Sequence, residues 1–414
     1  LGTGNLTQSY NSPIARDQPI LLYGRVDPKT EGFVRYAIEE VSTPFIAFQR
    51  GVDVITTGTV TAPSQELNPL ANNHQVVIDR LILPSEGRNY SLKVGTLRIV
   101  GTNRFGSGGI TVTGTVEVAA GARIDGYLSL GSAGSSLKIM DNVVFTGGRI
   151  TGFAGGGLAV TVIGSFLQLE NDSVFDAGGH SLTIFGTGGT VRLTNPRNVF
   201  GKVGVELDGS NLSLVSSDSL VFSSLRTGGG WVMLSSRGSI TAVENVAAGN
   251  LSFRAAGAVT ITGAYSGASG YGSTISLNSS STAVVQSLGA STAISLAGTG
   301  TVILSGNLTS SGSIDISAPI GVSGNAEISA NGGWIRINST IDAISSALTS
   351  SLRLNAGSAG MVSLGGDIGS RIHLGWVAID AGILNNPASH RISIKGASFT
   401  PHGPLDERGL RYGL

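Results

Sequence analysis

From Asn211 to about Gly396 the chain returns an apolar-x-apolar pair roughly every twenty residues. The pairs run Leu212/Leu214, Val232/Leu234, Leu251/Phe253, Ile275/Leu277 and Ile294/Leu296, then Ile314/Ile316, Ile335/Ile337, Leu352/Leu354, Val377/Ile379 and Ile392/Ile394. A second pair often follows about eight residues later, as in Leu220/Phe222, Val259/Ile261, Val302/Leu304, Ile320/Val322 and Val362/Leu364. Alternation with a period of two predicts a short strand with one buried face. Such strands recurring at a fixed spacing, with no helical pattern between them, predict a repeat architecture. Coiling the chain stacks each strand on its equivalent one turn later, about 4.8 Å away, and closes a continuous core. The pattern reads as a parallel β-solenoid.

The same alternation starts near Val94, with Leu97/Ile99, Ile110/Val112, Val116/Val118, Leu128/Leu130, Leu137/Ile139, Leu158/Val160/Val162, Leu182/Ile184 and Val191/Leu193. Gly-rich breaks such as 106–109 and 152–157 separate these runs and suit solenoid corners that need positive φ. The β-helix is therefore assigned to 106–400. Residues 1–105 differ, holding seven of the twelve prolines and about 19 of the 52 charged residues. They read as a β-rich N-terminal capping or assembly domain, with one short helix expected around 33–41. The segment 401–414, with two prolines and four charges, reads as a C-terminal tail.

Composition narrows the function. Only 13% of residues are charged and the formal net charge is zero, which removes the electrostatic case for nucleic acid or an anionic membrane surface as partner. With 41% apolar residues arranged periodically, the low charge does not signal disorder. There are no cysteines, so neither a disulfide framework nor a thiolate metal site is available. No apolar run is long enough for a membrane-spanning helix. The chain opens on Leu1 without a leader pattern and is read as a mature or excised product.

The run Asn195-Pro196-Arg197-Asn198-Val199-Phe200-Gly201, then Val203-Gly204-Val205, Gly209-Ser210-Asn211-Leu212-Ser213-Leu214 and Asp218-Ser219-Leu220, resembles a unit of filamentous-haemagglutinin-type adhesins. Those proteins carry N-x-x-N-x-F-G-x-V, a Gly-led corner, L-x-L and a further strand. The likeness is close over about 26 residues and looser, in composition and period, over 190–396. It implies a right-handed parallel β-helix, export across the outer membrane and display on the surface of a Gram-negative-type bacterium. Val199 stands where such units often have Asp.

β-Helices also host polysaccharide-cleaving enzymes, whose chemistry needs carboxylates converging on one face. The acids of the regular half (Asp218, Glu244, Asp315, Glu327, Asp342, Asp367 and Asp380) do not share one phase of the repeat. The densest group, Glu170, Asp172, Asp176 and His180, reads as polar loop residues, or else as a metal or acid/base site. The five histidines lack metal-ligand spacing. No catalytic residue, cofactor or metal site is assigned.

Trp231, Trp334 and Trp376 each follow glycine and precede an inward pair, at separations near five and two turns. They are expected at one corner of the solenoid, either covering it or contacting a glycan or a neighbouring copy. The residues between the inward pairs should point outward: Ser213, Met233, Ser252, Ser276, Ser295, Asp315, Arg336, Arg353, Ala378 and Ser393. The expected function is non-enzymatic and extracellular: a surface adhesin or fibre segment that projects or presents a binding surface, with cell-surface glycan or further copies of itself as partners. The alternatives are a self-assembling subunit of a filament or coat and, from another class, a polysaccharide-cleaving β-helix.

Overall fold

The computed structural model describes residues 110–385 except 113, 132–134, 153–157, 170–172, 178–180, 243–245, 268–273, 291 and 348, together with strands between Ile20 and Arg104. The chain divides into two compact units, Leu1–Gly204 and Val205–Leu414. Each is all-β, built from short strands in parallel register, and the fold is a parallel β-solenoid. Among the described residues no helix is long and apolar enough to cross a membrane.

In the first unit one inward ladder runs Leu97, Val116, Leu137, Val160 and Ile184, each directly paired with the next. A second runs Ile110, Leu128, Ile150 and Phe175. A third runs Ile124, Phe145 and Gln168, and its polar last member is taken up below. The apolar members of all three are buried. In the second unit the longest ladder passes through eight coils: Leu212, Val232, Leu251, Ile275, Ile294, Ile314, Ile335 and Val362. Leu220, Ile240, Val259, Ala283, Val302, Ile320 and Ile341 form the next face. Leu288, Leu308, Ile328, Leu354 and Ile379 form another. Burying each large aliphatic side chain in these ladders contributes about 1.5–3 kcal/mol, and β-branched residues suit the pleated surface.

Parallel pairing of the same kind reaches back into the first hundred residues. Phe33–Tyr36 and Glu40–Ser42 both pair with Asp53–Thr61, which pairs with Gln75–Ile82 and so on to Thr96–Ile99. The helix expected around 33–41 is thus two strands. The stretch is too short to hold a helix by propensity, and pairing with 53–61 satisfies its backbone instead. The tail 401–414 and the pair Ile392/Ile394 lie outside the described residues.

Two devices recur at the described corners. The first is glycine at positive φ, clearest at the neighbours Gly188 (φ 68°) and Gly189 (φ 85°). A Cβ on Gly188 meets open space, whereas one on Gly189 collides with the carbonyl oxygen of Gly164 in the coil before. Gly188→Ala is therefore expected to cost about 1 kcal/mol of backbone strain, and Gly189→Ala about 2 kcal/mol or more as overpacking is added. Urea-unfolding midpoints of the two variants check this; equal shifts would remove the close approach as a constraint.

The second device is buried serine. Ser216, Ser236 and Ser279 occupy one column with Ala255 and Gly298. The Ser236 hydroxyl donates to Asp218 O at 2.8 Å and accepts from the Gly238 N–H at 3.0 Å. Ser279 does the same with Gly257 O and the Ser281 N–H. Each hydroxyl closes its own turn and ties it to the previous coil, so that both its donor and its acceptor capacity are used.

Candidate functional site

Trp231 and Trp334 both open a strand on the eight-coil face of the second unit. Trp231 pairs with Asn250, and the column continues through Thr274, Ala293 and Ser313 to Trp334, five coils on. The Trp231 backbone N–H donates to Asn211 Oδ1 at 3.0 Å, and its side chain is half-buried.

Trp376 departs from the expected single corner. It pairs with Ser351, and Ser351 with Asn325, which places it on another face. The cause lies in the pairs that precede it. Leu352/Leu354 stack on Ala326/Ile328, and Val377/Ile379 stack on Leu352/Leu354, while the neighbour of Ile335/Ile337 is Val362/Leu364. All faces carry the same alternation, so spacing alone does not say which face a pair joins. The connection after Ile341–Ala343 lengthens the coil and shifts the count.

Around Trp334 the outward side chains form two parallel columns. One is apolar: Trp334, Met361 and Ile383, with Trp334 47% and Ile383 61% exposed. The other, two residues along each strand, is polar: Arg336, Ser363 and Asn385. The inward residues between them, Ile335 and Val362, are buried. The Arg336 guanidinium lies over the Trp334 ring, 5.0 Å from its centroid, and 3.5 Å from the Asp315 carboxylate of the coil before. That contact covers one ring face and fixes the indole, worth about 0.5–1 kcal/mol at an exposed site.

The Trp376 face is built differently. There Arg353 sits between Glu327, at 3.8 Å, and Asp380, at 4.0 Å, so acid and base alternate along the stack. The other outward positions follow expectation: Met233 is 50% exposed, and Ser252, Ser276, Ser295 and Ala378 are not buried. Ser213 is the exception, buried at 4% exposure. Ser393 lies outside the described residues.

Of the acidic group in the first unit, Asp176 is described, and Glu170, Asp172 and His180 lie outside the described residues. Asp176 forms an ion pair with Arg149 of the neighbouring coil. In the same unit Glu117 faces Lys138 at 3.8 Å. Asp342, in the second unit, accepts from the backbone N–H groups of Arg371 and Ile372 and holds a loop. Among the described residues no cluster of three or more metal-ligating side chains occurs.

The Asn195–Gly201 turn has an internal role that the sequence did not disclose. Gln168, Ser173, Asn195 and Asn198 are all buried, at 0–3% exposure. Asn198 and Gln168 form a reciprocal amide pair, Asn198 Nδ2 donating to Gln168 Oε1 and Gln168 Nε2 to Asn198 Oδ1, both at 2.8 Å. The backbone fixes their orientation. The N–H groups of Phe175 and Asn195 can only donate, and they reach Asn198 Oδ1 at 2.8 Å and Gln168 Oε1 at 3.1 Å. Ser173 O, which can only accept, takes Gln168 Nε2 at 3.0 Å and also Asn195 Nδ2. Beside this network Phe200 packs 6.0 Å from Phe175, and Phe175 6.3 Å from Phe166. Both asparagines and Phe200 of this turn thus brace the solenoid interior. A polar residue at an inward phase, Gln168 in step with Phe166, was the available signal.

Set against family models, characterised proteins and solved structures, the chain matches none in any of the three comparisons.

Proposed function

We propose that this chain is a non-enzymatic extracellular β-solenoid, a segment of a bacterial surface adhesin or fibre that projects or presents a binding surface. The observation that carries the reading is the second unit's inward ladder, unbroken through eight coils from Leu212 to Val362. A stack of this kind is stiff along its axis because every coil is hydrogen-bonded to the next, while its outward residues are free to meet a partner. Several acids of both units sit beside arginine or lysine: Glu117–Lys138, Asp315–Arg336 and Glu327–Arg353 toward the surface, and the buried Asp176 with Arg149. That arrangement suits a structural surface better than acid/base chemistry, which needs a carboxylate free to exchange its proton. The adhesin-like unit at 195–220 supports a right-handed coil and surface display by resemblance.

Negative-stain microscopy with mass photometry over a concentration series tests the reading. Isolated, unassembled particles that leave soluble polysaccharides intact are the expected result. Ordered filaments or sheets would replace it with a self-assembling coat subunit, and depolymerisation of a polysaccharide would replace it with an enzyme.

A further inference from the structure

We infer that the paired columns Trp334/Met361/Ile383 and Arg336/Ser363/Asn385 form a binding strip for a neutral oligosaccharide lying along the solenoid axis. The inference rests on the surface-display reading and names its ligand class. A pyranose ring presents apolar C–H faces and a hydroxyl edge. The strip presents the matching pair: an apolar shelf on one column and, two residues along each strand, a row with a guanidinium, a hydroxyl and a carboxamide. The shelf is exposed at both ends, at Trp334 and Ile383.

Size and charge select the occupant. Two columns separated by two strand residues and three coils tall span about 7 Å by 10 Å at the backbone. A stable protein interface needs roughly 1,000 Å², far more than this, so a second copy of the chain does not fit the feature. A short linear glycan does. Asp315 neutralises Arg336 at 3.5 Å, which favours an uncharged sugar over a sulfated or uronic one. Tryptophan supplies wide contact area at small entropic cost.

The intact chain is titrated with cellohexaose, maltohexaose, xylohexaose and chitohexaose, and with a heparin hexasaccharide as the anionic comparison, by calorimetry and tryptophan fluorescence. At least one neutral hexasaccharide should bind, and Trp334→Ala should weaken it about tenfold or more. Ser363→Tyr, which blocks the polar row and leaves the indole in place, should do the same, and Trp231→Ala should not. Binding of the heparin fragment alone, no binding of any neutral probe, or binding indifferent to both strip variants would overturn the inference. So would failure of acrylamide to quench Trp334 in a Trp231→Phe/Trp376→Phe background, since something else would then cover the shelf. Isolated, unassembled particles that ignore the neutral probes would sink the strip and leave the display reading standing.

Discussion

Ile314→Asp removes amide protection from the coils on either side of residue 314 and leaves distant coils of the same unit protected. Ile314 is fully buried between Ile294 and Ile335 in the eight-coil ladder. A carboxylate there has no cation within the ladder, and burying an unpaired charge costs several kcal/mol even after relaxation. Ile314→Ala, which removes only apolar contact, should cost about 2–5 kcal/mol. Ser276→Asp, on the outward side of the same face, should stay within about 0.5 kcal/mol. Because each coil touches only its neighbours, the damage should be local, and hydrogen exchange read peptide by peptide reveals its extent. Uniform loss of protection across Val205–Leu414 would show that the unit behaves as one cooperative block and would reject the nearest-neighbour account.

The second large effect belongs to Asn198→Ala. The substitution strips the Phe175 N–H of its acceptor and removes one partner each from the Gln168 carbonyl and amide. Each buried polar group left unpaired costs about 1–3 kcal/mol, so a loss of about 2–5 kcal/mol is expected, confined to the coils around 166–200. Asn198→Asp keeps the shape but points an oxygen at Gln168 Oε1, and should be at least as damaging. Chemical denaturation combined with hydrogen exchange measures both. An Asn198→Ala protein with wild-type stability would mean that the amide pair contributes nothing net.

Much of this fold was legible because its core repeats a simple rule. Leu212, Val232, Leu251, Ile275, Ile294, Ile314 and Ile335 were found by spacing alone and lie in one ladder. The rule failed at Leu352/Leu354 and Val377/Ile379, which keep the alternation but belong to another face. Alternation encodes which side of a strand is buried; the face it joins depends on corner length, which is far less constrained. The same limit moved Trp376 away from Trp334. Ser236 and Ser279 were missed because serine at a corner looks like filler until its hydroxyl is seen to close the turn. The paired columns beside Trp334 were invisible for a further reason: Arg336, Ser363 and Asn385 are adjacent only through register, not through any local motif.

The coil-to-coil side-chain bonds have a consequence for how the molecule forms. They join residues close in sequence, from Ser236 to Asp218, 18 positions apart, to Gln168 and Asn198, 30 apart. Closing a loop of that length costs little entropy, and each finished coil presents a ready template for the one that follows. A chain emerging end first from a ribosome can therefore lock in each turn as it appears, without waiting for its far terminus.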